Sequence, residues 1–215
     1  MAYHLFFVDA TLDLISGVVA LFVSYYAYRY NRLLHSTPLL FISFGFMLLG
    51  VGLLIESSVH LFSTVYAKQL AVFVEATAIY LIIQVLSYLI IALGYAYEAY
   101  LRAALSATFT PILLAGRRPQ ILLLPYRLST TAELLSLVIL VVVVYQATLV
   151  YTTTRNALAR MVLSAFLLIT LAQAVILGSV LTLSAFDFEI GELIRFLGFV
   201  FLLVFLVRSG RSEPR

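Results

Sequence analysis

The sequence predicts an all-α polytopic membrane bundle of six or seven transmembrane helices, built as two tandem three-helix repeats. Three observations carry this expectation. Of 215 residues, 64% are hydrophobic and 11% charged, which leaves too little polar surface to coat a water-soluble globule. Apolar stretches such as 134–151 and 161–186 approach or exceed the roughly 20 residues a helix needs to cross a bilayer, whereas membrane strands would alternate in segments of about 10. The chain also echoes itself. Asp13-Leu14-Ile15-Ser16 is answered by Glu133-Leu134-Leu135-Ser136, and Tyr25 and Ala27 by Tyr145 and Ala147, all 120 positions on. Further along, Leu39, Ser43, Phe44, Gly50 and Ser57 face Met161, Ala165, Phe166, Ala172 and Ser179 at an offset of 122. Self-similarity at a fixed offset is the signature of a duplicated unit.

Taken in order, the spans are expected at 5–29, 38–62, 69–100, 131–152, 157–184 and 188–208. The first opens on Met1-Ala2-Tyr3-His4 with no basic residue ahead of it and Asp9 and Asp13 inside it. It lacks the basic leader of a cleaved signal and is expected to be retained. Pro38 stands at the start of the second, where its missing N–H is harmless. Residues 1–102 form the first three-helix unit and 132–215 the second. Between them, 103–131 contain Pro111, Gly116, Pro119 and Pro125, enough breakers to interrupt one regular helix.

Charge decides how that linker is read. If 103–131 stay on one side, six crossings place six basic residues on each face, and no positive-inside signal results. If the linker makes a short extra crossing, Arg29, Arg32, Arg102, Arg155, Arg160, Arg208, Arg211 and Arg215 share a side against Lys68, Arg117, Arg118 and Arg127. That asymmetry favours a multi-pass protein of the cell membrane with its N-terminus outside and its C-terminus in the cytoplasm. Tyr25, Tyr26, Tyr28 and Tyr30 crowd one helix end and Tyr95, Tyr97 and Tyr100 another, as interfacial aromatic belts do. A net charge of only +3 gives no platform for nucleic acid.

Composition removes several chemistries. There is no Cys, so disulfides, thiolate catalysis and iron–sulfur ligation are excluded. No nucleophile constellation or phosphate loop is present, and no enzymatic activity is expected. Lys68 is set in a loop, which removes a retinal Schiff base. His4 and His60 are the pair that could share a side to hold haem b, but His4 is beside the terminus, and no cofactor is expected. Two Asn and one Lys against twelve Arg suit a thermophilic archaeal source.

Ionisable groups inside spans are the best pointers to function, because each is costly there unless paired or hydrated. Asp9 and Asp13 are four apart and share a helix face, as do Glu56 and His60; Glu75 opens the third span, and Glu133 and Glu192 take the places of Asp13 and Glu75 in the second unit. With parallel units these residues collect at the outer side as an acidic vestibule for ions, protons or a partner. Their bland reading is wetting at the interface or capping of helix starts. Glu189, Glu192 and Arg195 follow at three-residue spacing and permit a structural ion pair. Gln84, Gln146 and Gln173 lie deeper and can bond between helices, while Gly45, Gly50, Gly52, Ala92/Ala96 and Ala174/Gly178 permit close helix approach.

The run Tyr25-Tyr26-Ala27-Tyr28-Arg29-Tyr30-Asn31-Arg32 with Pro38-Leu39-Leu40-Phe41-Ile42-Ser43-Phe44-Gly45-Phe46 resembles the repeating segment of small archaeal polytopic membrane proteins built from tandem three-helix units joined through a basic first turn. The motif thins to Thr152-Thr153-Thr154-Arg155 in the second half. The resemblance implies a fold and no activity. On the sequence, the first functional expectation is a non-enzymatic accessory or anchoring subunit of a larger respiratory or translocation complex, with a protein partner in the membrane. The alternative is a small ion or solute transporter or channel using the acidic vestibule. A sensory module acting in trans and a lipid-modifying enzyme follow.

Overall fold

The computed structural model describes residues 2–66, 70–103, 124–155 and 157–209. These form six helices: α1 (Ala2–Leu34), α2 (Thr37–Tyr66), α3 (Leu70–Ala103), α4 (Leu124–Thr154), α5 (Ala157–Thr182) and α6 (Ala185–Ser209). All six contain a segment long and apolar enough to cross a bilayer, from Ala10–Leu34 to Ala185–Arg208. The protein is therefore a multi-pass helical membrane protein whose outer faces, with Ile15, Val18, Phe22, Leu134, Val138 and Val141 exposed, meet lipid.

The helices run further than their apolar cores. α1 continues through Arg29, Asn31 and Arg32 to Leu34, where arginine, a good helix former, carries the helix past the hydrocarbon. Its end carries the expected aromatic belt: Tyr25 meets Tyr26 edge-on at 5.3 Å, and the Arg32 guanidinium stands 5.3 Å from the Tyr28 ring. α4 begins at Leu124, so residues 124–131 of the expected linker are helical. Pro125 falls in the first turn, where proline starts a helix rather than breaking one. The extra crossing with Pro111, Gly116, Arg117, Arg118 and Pro119, like Lys68, lies outside the described residues.

Two connections are as short as a helical hairpin permits. His35 and Ser36 join α1 to α2, and Leu183 and Ser184 join α5 to α6. His35, Arg155 and Leu183 close α1, α4 and α5 with φ of 50°, 46° and 56°. In each case a left-handed residue ends the helix, a place usually given to glycine. The His35 and Arg155 amides donate to the carbonyls of Asn31 and Tyr151 at 2.7 and 2.8 Å. The Ser184 hydroxyl then caps α6 by accepting from the Asp187 amide at 3.3 Å, which starts that helix three residues earlier than the sequence suggests.

Each helix packs against two neighbours, in the ring order α1, α2, α3, α4, α5, α6 and back to α1. Close approach at α1–α2 needs Gly17 and Gly50, since a Cβ on Gly50 would come within 2.9 Å of the Gly17 carbonyl oxygen. Ser43 seals the same contact by donating to the Ser24 carbonyl at 2.9 Å. Gly45 and Gly52 serve the α2–α3 contact. Gly178 has no neighbour within 4 Å, so the Ala174/Gly178 pair does not bring helices together.

Residues early in α1, α3, α4 and α6 (Asp13, Thr77, Glu133, Glu189) and late in α2 and α5 (His60, Ser179) line one cavity. Hence α1, α3, α4 and α6 run one way, and α2 and α5 the other. α3 ends, and α4 begins, at opposite ends of the ring.

Burial repeats along the chain. Asp13, Ser16, Ala20, Val23 and Ala27 are buried, and so are Glu133, Ser136, Leu140, Val143 and Ala147, 120 positions later. On α2 and α5 the matching offset is 123, pairing Leu39, Ile42, Phe46, Leu49, Leu53 and Glu56 with Val162, Ala165, Ile169, Ala172, Ile176 and Ser179. At the expected offset of 122, Ser43/Ala165, Gly50/Ala172 and Ser57/Ser179 are buried on both helices, whereas Phe44 is 49% exposed and Phe166 fully buried. A one-residue shift turns a helix by about 100°, and in uniformly apolar segments residue identity alone does not fix that angle. On α3 and α6 the offset is 111: Leu81, Gln84, Tyr88, Ile91 and Tyr95 are buried, as are Glu192, Arg195, Phe199, Leu202 and Leu206.

Candidate functional site

The N-terminal halves of α1, α3, α4 and α6 and the C-terminal halves of α2 and α5 enclose a cavity of about 500 Å³. Its polar lining is Asp13, Glu56, His60, Thr77, Tyr80, Ser129, Glu133, Ser179, Ser184, Glu189, Glu192 and Arg195, and its apolar lining includes Leu81, Val180, Leu183 and Phe188. Leu183 is 79% exposed and marks the mouth. Deeper, an aromatic layer closes the ring. Phe46 meets Phe199 edge-on at 5.4 Å and Phe166 at 6.5 Å, and Tyr95 meets Phe166 at 6.2 Å. The result is a cup open at one end.

Arg195 organises one wall. It is 2% exposed, and its guanidinium is met from three sides. Nη1 donates to the Tyr80 hydroxyl at 2.7 Å, Nη2 donates to Asp13 Oδ1 at 3.2 Å, and Nη2 also contacts Glu192 one turn earlier on α6. The Tyr80 ring lies 5.8 Å from the guanidinium carbon. Glu192–Arg195 is the ion pair its three-residue spacing predicts. Asp13 and Tyr80 join it across helices, which spacing cannot foretell. Two carboxyl groups thus share one guanidinium in this wall.

Glu133 organises the opposite wall. Gln84 Nε2 donates to Glu133 Oε2 at 3.1 Å and lies 3.3 Å from Ser136 Oγ and 3.4 Å from Gln173 Oε1. Gln173 donates to the same Glu133 oxygen and reaches its backbone carbonyl at 3.5 Å. Gln84 and Gln173 are fully buried, so two of the three central glutamines bond between helices. Gln146 does not: its Oε1 has no hydrogen-bond partner.

The two walls correspond. Asp13 and Glu133 occupy matching places on α1 and α4, and Arg195 and Gln84 matching places on α6 and α3. Where one contact joins a carboxylate to a guanidinium, the other joins a carboxylate to an amide. Glu56 and His60 come from α2. His60 Nε2 is 3.3 Å from Thr77 Oγ1 and 3.8 Å from Glu56 Oε1. Thr77 and Glu56 thus approach the same ring nitrogen, whereas a nucleophilic triad needs its acid and its hydroxyl on opposite nitrogens.

Of the residues singled out on the sequence, the structure brings Asp13, Glu56, His60, Glu133 and Glu192 to one cavity. Glu75 is exposed on the outer face of α3, and the place matching Glu192 on α3 is taken by Leu81. The side chains of Asp9 and His4 lie outside the described residues, so the His4–His60 haem pairing falls there too. Among the described residues, no group of three His, Asp or Glu side chains is placed to hold a metal ion. Tyr80 and Thr77 escaped the sequence reading. The signal for Tyr80 was its place one turn before Gln84, on the same face. No protein family, curated protein or solved structure matches this chain.

Proposed function

We propose that this protein is a small membrane carrier whose cup admits a cationic organic solute. The observation that carries the reading is the cavity itself. Five carboxylates, Asp13, Glu56, Glu133, Glu189 and Glu192, share the cavity with a single guanidinium beside an aliphatic wall. Negative charge in a low-dielectric cup attracts cations, and a volume of about 500 Å³ suits a small organic molecule. The aliphatic lining favours a cation with an apolar body over a bare ion.

Duplication supports transport. We infer that α1–α3 and α4–α6 are two copies of one unit related by an axis along the ring, the parallel-repeat plan some carriers use. Orientation follows from charge. Arg29, Arg32, Arg155, Arg160 and Arg208 stand at the end of the ring away from the cavity, in or beside the last turns of α1, α4 and α6 and the first of α5. The positive-inside rule then places the cup at the outer face of the cell membrane. The chain is read as non-enzymatic, with no cofactor.

Uptake of tetramethylammonium and larger alkylammonium ions into proteoliposomes tests the carrier. Saturable uptake is expected, reduced about tenfold by Glu56→Gln if that carboxylate contributes roughly 1.4 kcal/mol. Uptake no faster than into empty vesicles across the series would overturn the reading. A second reading, an accessory subunit of a larger membrane complex, is supported by the two-residue turns His35-Ser36 and Leu183-Ser184, which at these two places leave little surface outside the membrane for independent work. Gentle purification from the native membrane with a co-migrating chain would favour it over the carrier.

A further inference from the structure

We propose that Glu133, Gln84, Gln173 and Ser136 form a site for one sodium ion in the wall of the cup. The proposal deepens the carrier reading, on which the ion's coupling role rests. Binding itself does not depend on it.

Three oxygens converge on the Gln84 amide nitrogen: Glu133 Oε2 at 3.1 Å, Ser136 Oγ at 3.3 Å and Gln173 Oε1 at 3.4 Å. A side-chain amide has two hydrogens and cannot donate fully to all three. On the other side of the same group, Gln84 Oε1 has no hydrogen-bond partner although the residue is fully buried. A buried amide oxygen without a partner is costly. Turning the amide by a half-rotation brings that oxygen to the nitrogen's position. Four oxygens then face one another, a donor set that a cation among them would hold together.

Charge points the same way. Asp13, which matches Glu133, is met by Arg195 at 3.2 Å. Gln84 stands where Arg195 stands and brings no charge. Among the described residues, no Lys, Arg or His nitrogen lies within ion-pair distance of Glu133. Glu133 is 5% exposed and hydrogen-bonded by amides without an ion-pair partner, so a bound monovalent cation would supply its counter-charge. One carboxylate balances a monovalent ion. Amide, hydroxyl and carboxylate oxygens are hard donors, which suits an alkali cation over a transition metal. Glu133 also lines the cavity, so the ion has a path from the mouth.

The test uses the full-length protein in mild detergent. Thermal unfolding is followed in sodium, potassium and choline chlorides at constant ionic strength, with equilibrium binding of radiolabelled sodium in parallel. Sodium should raise Tm saturably, by roughly 5–10 °C at a hundredfold excess over its Kd, and choline should not. Glu133→Gln should abolish both the shift and the binding. Gln84→Arg supplies a tethered cation like Arg195 and should remove the sodium response; Ser136→Ala, which alters only one ligand, should weaken sodium binding several-fold even if the arginine variant does not fold. Equal Tm in sodium and choline with no bound label would overturn the site. So would a response that persists in Glu133→Gln, or one reproduced by acidification without sodium, which would assign the missing charge to a proton. Sodium binding without alkylammonium uptake would sink the carrier and leave the site standing.

Discussion

Replacing Arg195 by glutamine would give the α1–α6 contact the same amide that Gln84 provides between α3 and α4, and its cost measures how strongly the buried charges depend on one another. The guanidinium is held by Asp13, Glu192 and Tyr80, and Arg195, Asp13 and Glu192 are 2%, 5% and 3% exposed. Removing it leaves two carboxylates without a cation, and breaking a buried pair in this way costs about 3–5 kcal/mol. The lost hydrogen bond to the Tyr80 hydroxyl, about 1.5–3 kcal/mol when charged, belongs to the same network and does not simply add. A total near 4 kcal/mol is expected. Asp13→Asn should cost less, about 1.5–3 kcal/mol, since Glu192 still balances the arginine. The double variant should be more stable than the sum of the two changes implies, by at least about 1 kcal/mol, because one uncompensated anion is gone. Reversible denaturation in mixed micelles reads these differences. A loss under about 1 kcal/mol for Arg195→Gln, or strict additivity in the double variant, would mean that water reaches the charges and that the wall is not sealed.

Two other outcomes follow from geometry outside the cup. His35→Gly, Arg155→Gly and Leu183→Gly each relieve a left-handed residue at a helix end and should stabilise by about 1 kcal/mol apiece, read as raised Tm; unchanged or lowered values at all three would contradict those backbone conformations. Because the chain has no Cys, single cysteines report topology without background. Ser184→Cys, near the mouth, should react with an impermeant maleimide on intact cells, and Thr154→Cys only after permeabilisation; the reverse pattern would turn the cup to the cytoplasm.

Composition and run length alone determined that this chain is a bundle of membrane helices, because hydrocarbon admits only elements that satisfy their own backbone, and roughly 20 apolar residues fix the element as a helix. Local spacing also determined the Glu192–Arg195 pair, since residues three apart meet on any helix. The facing of α1 with α4 was legible as well: Asp13 and Glu133 share a burial pattern at the offset that their sequences show. Tertiary structure decided the rest. The register of α2 against α5 and of α3 against α6 was hidden because leucine, valine and phenylalanine suit lipid and protein interior alike, so the buried face of such helices carries no compositional mark. Glu75 and Glu192 read alike in sequence, yet one faces outward and the other lies in the wall of the cup. The distinction between Asp13 with a guanidinium and Glu133 with an amide belongs to contacts between residues 182 and 49 positions apart. Only closure of the ring brings those residues within hydrogen-bonding distance.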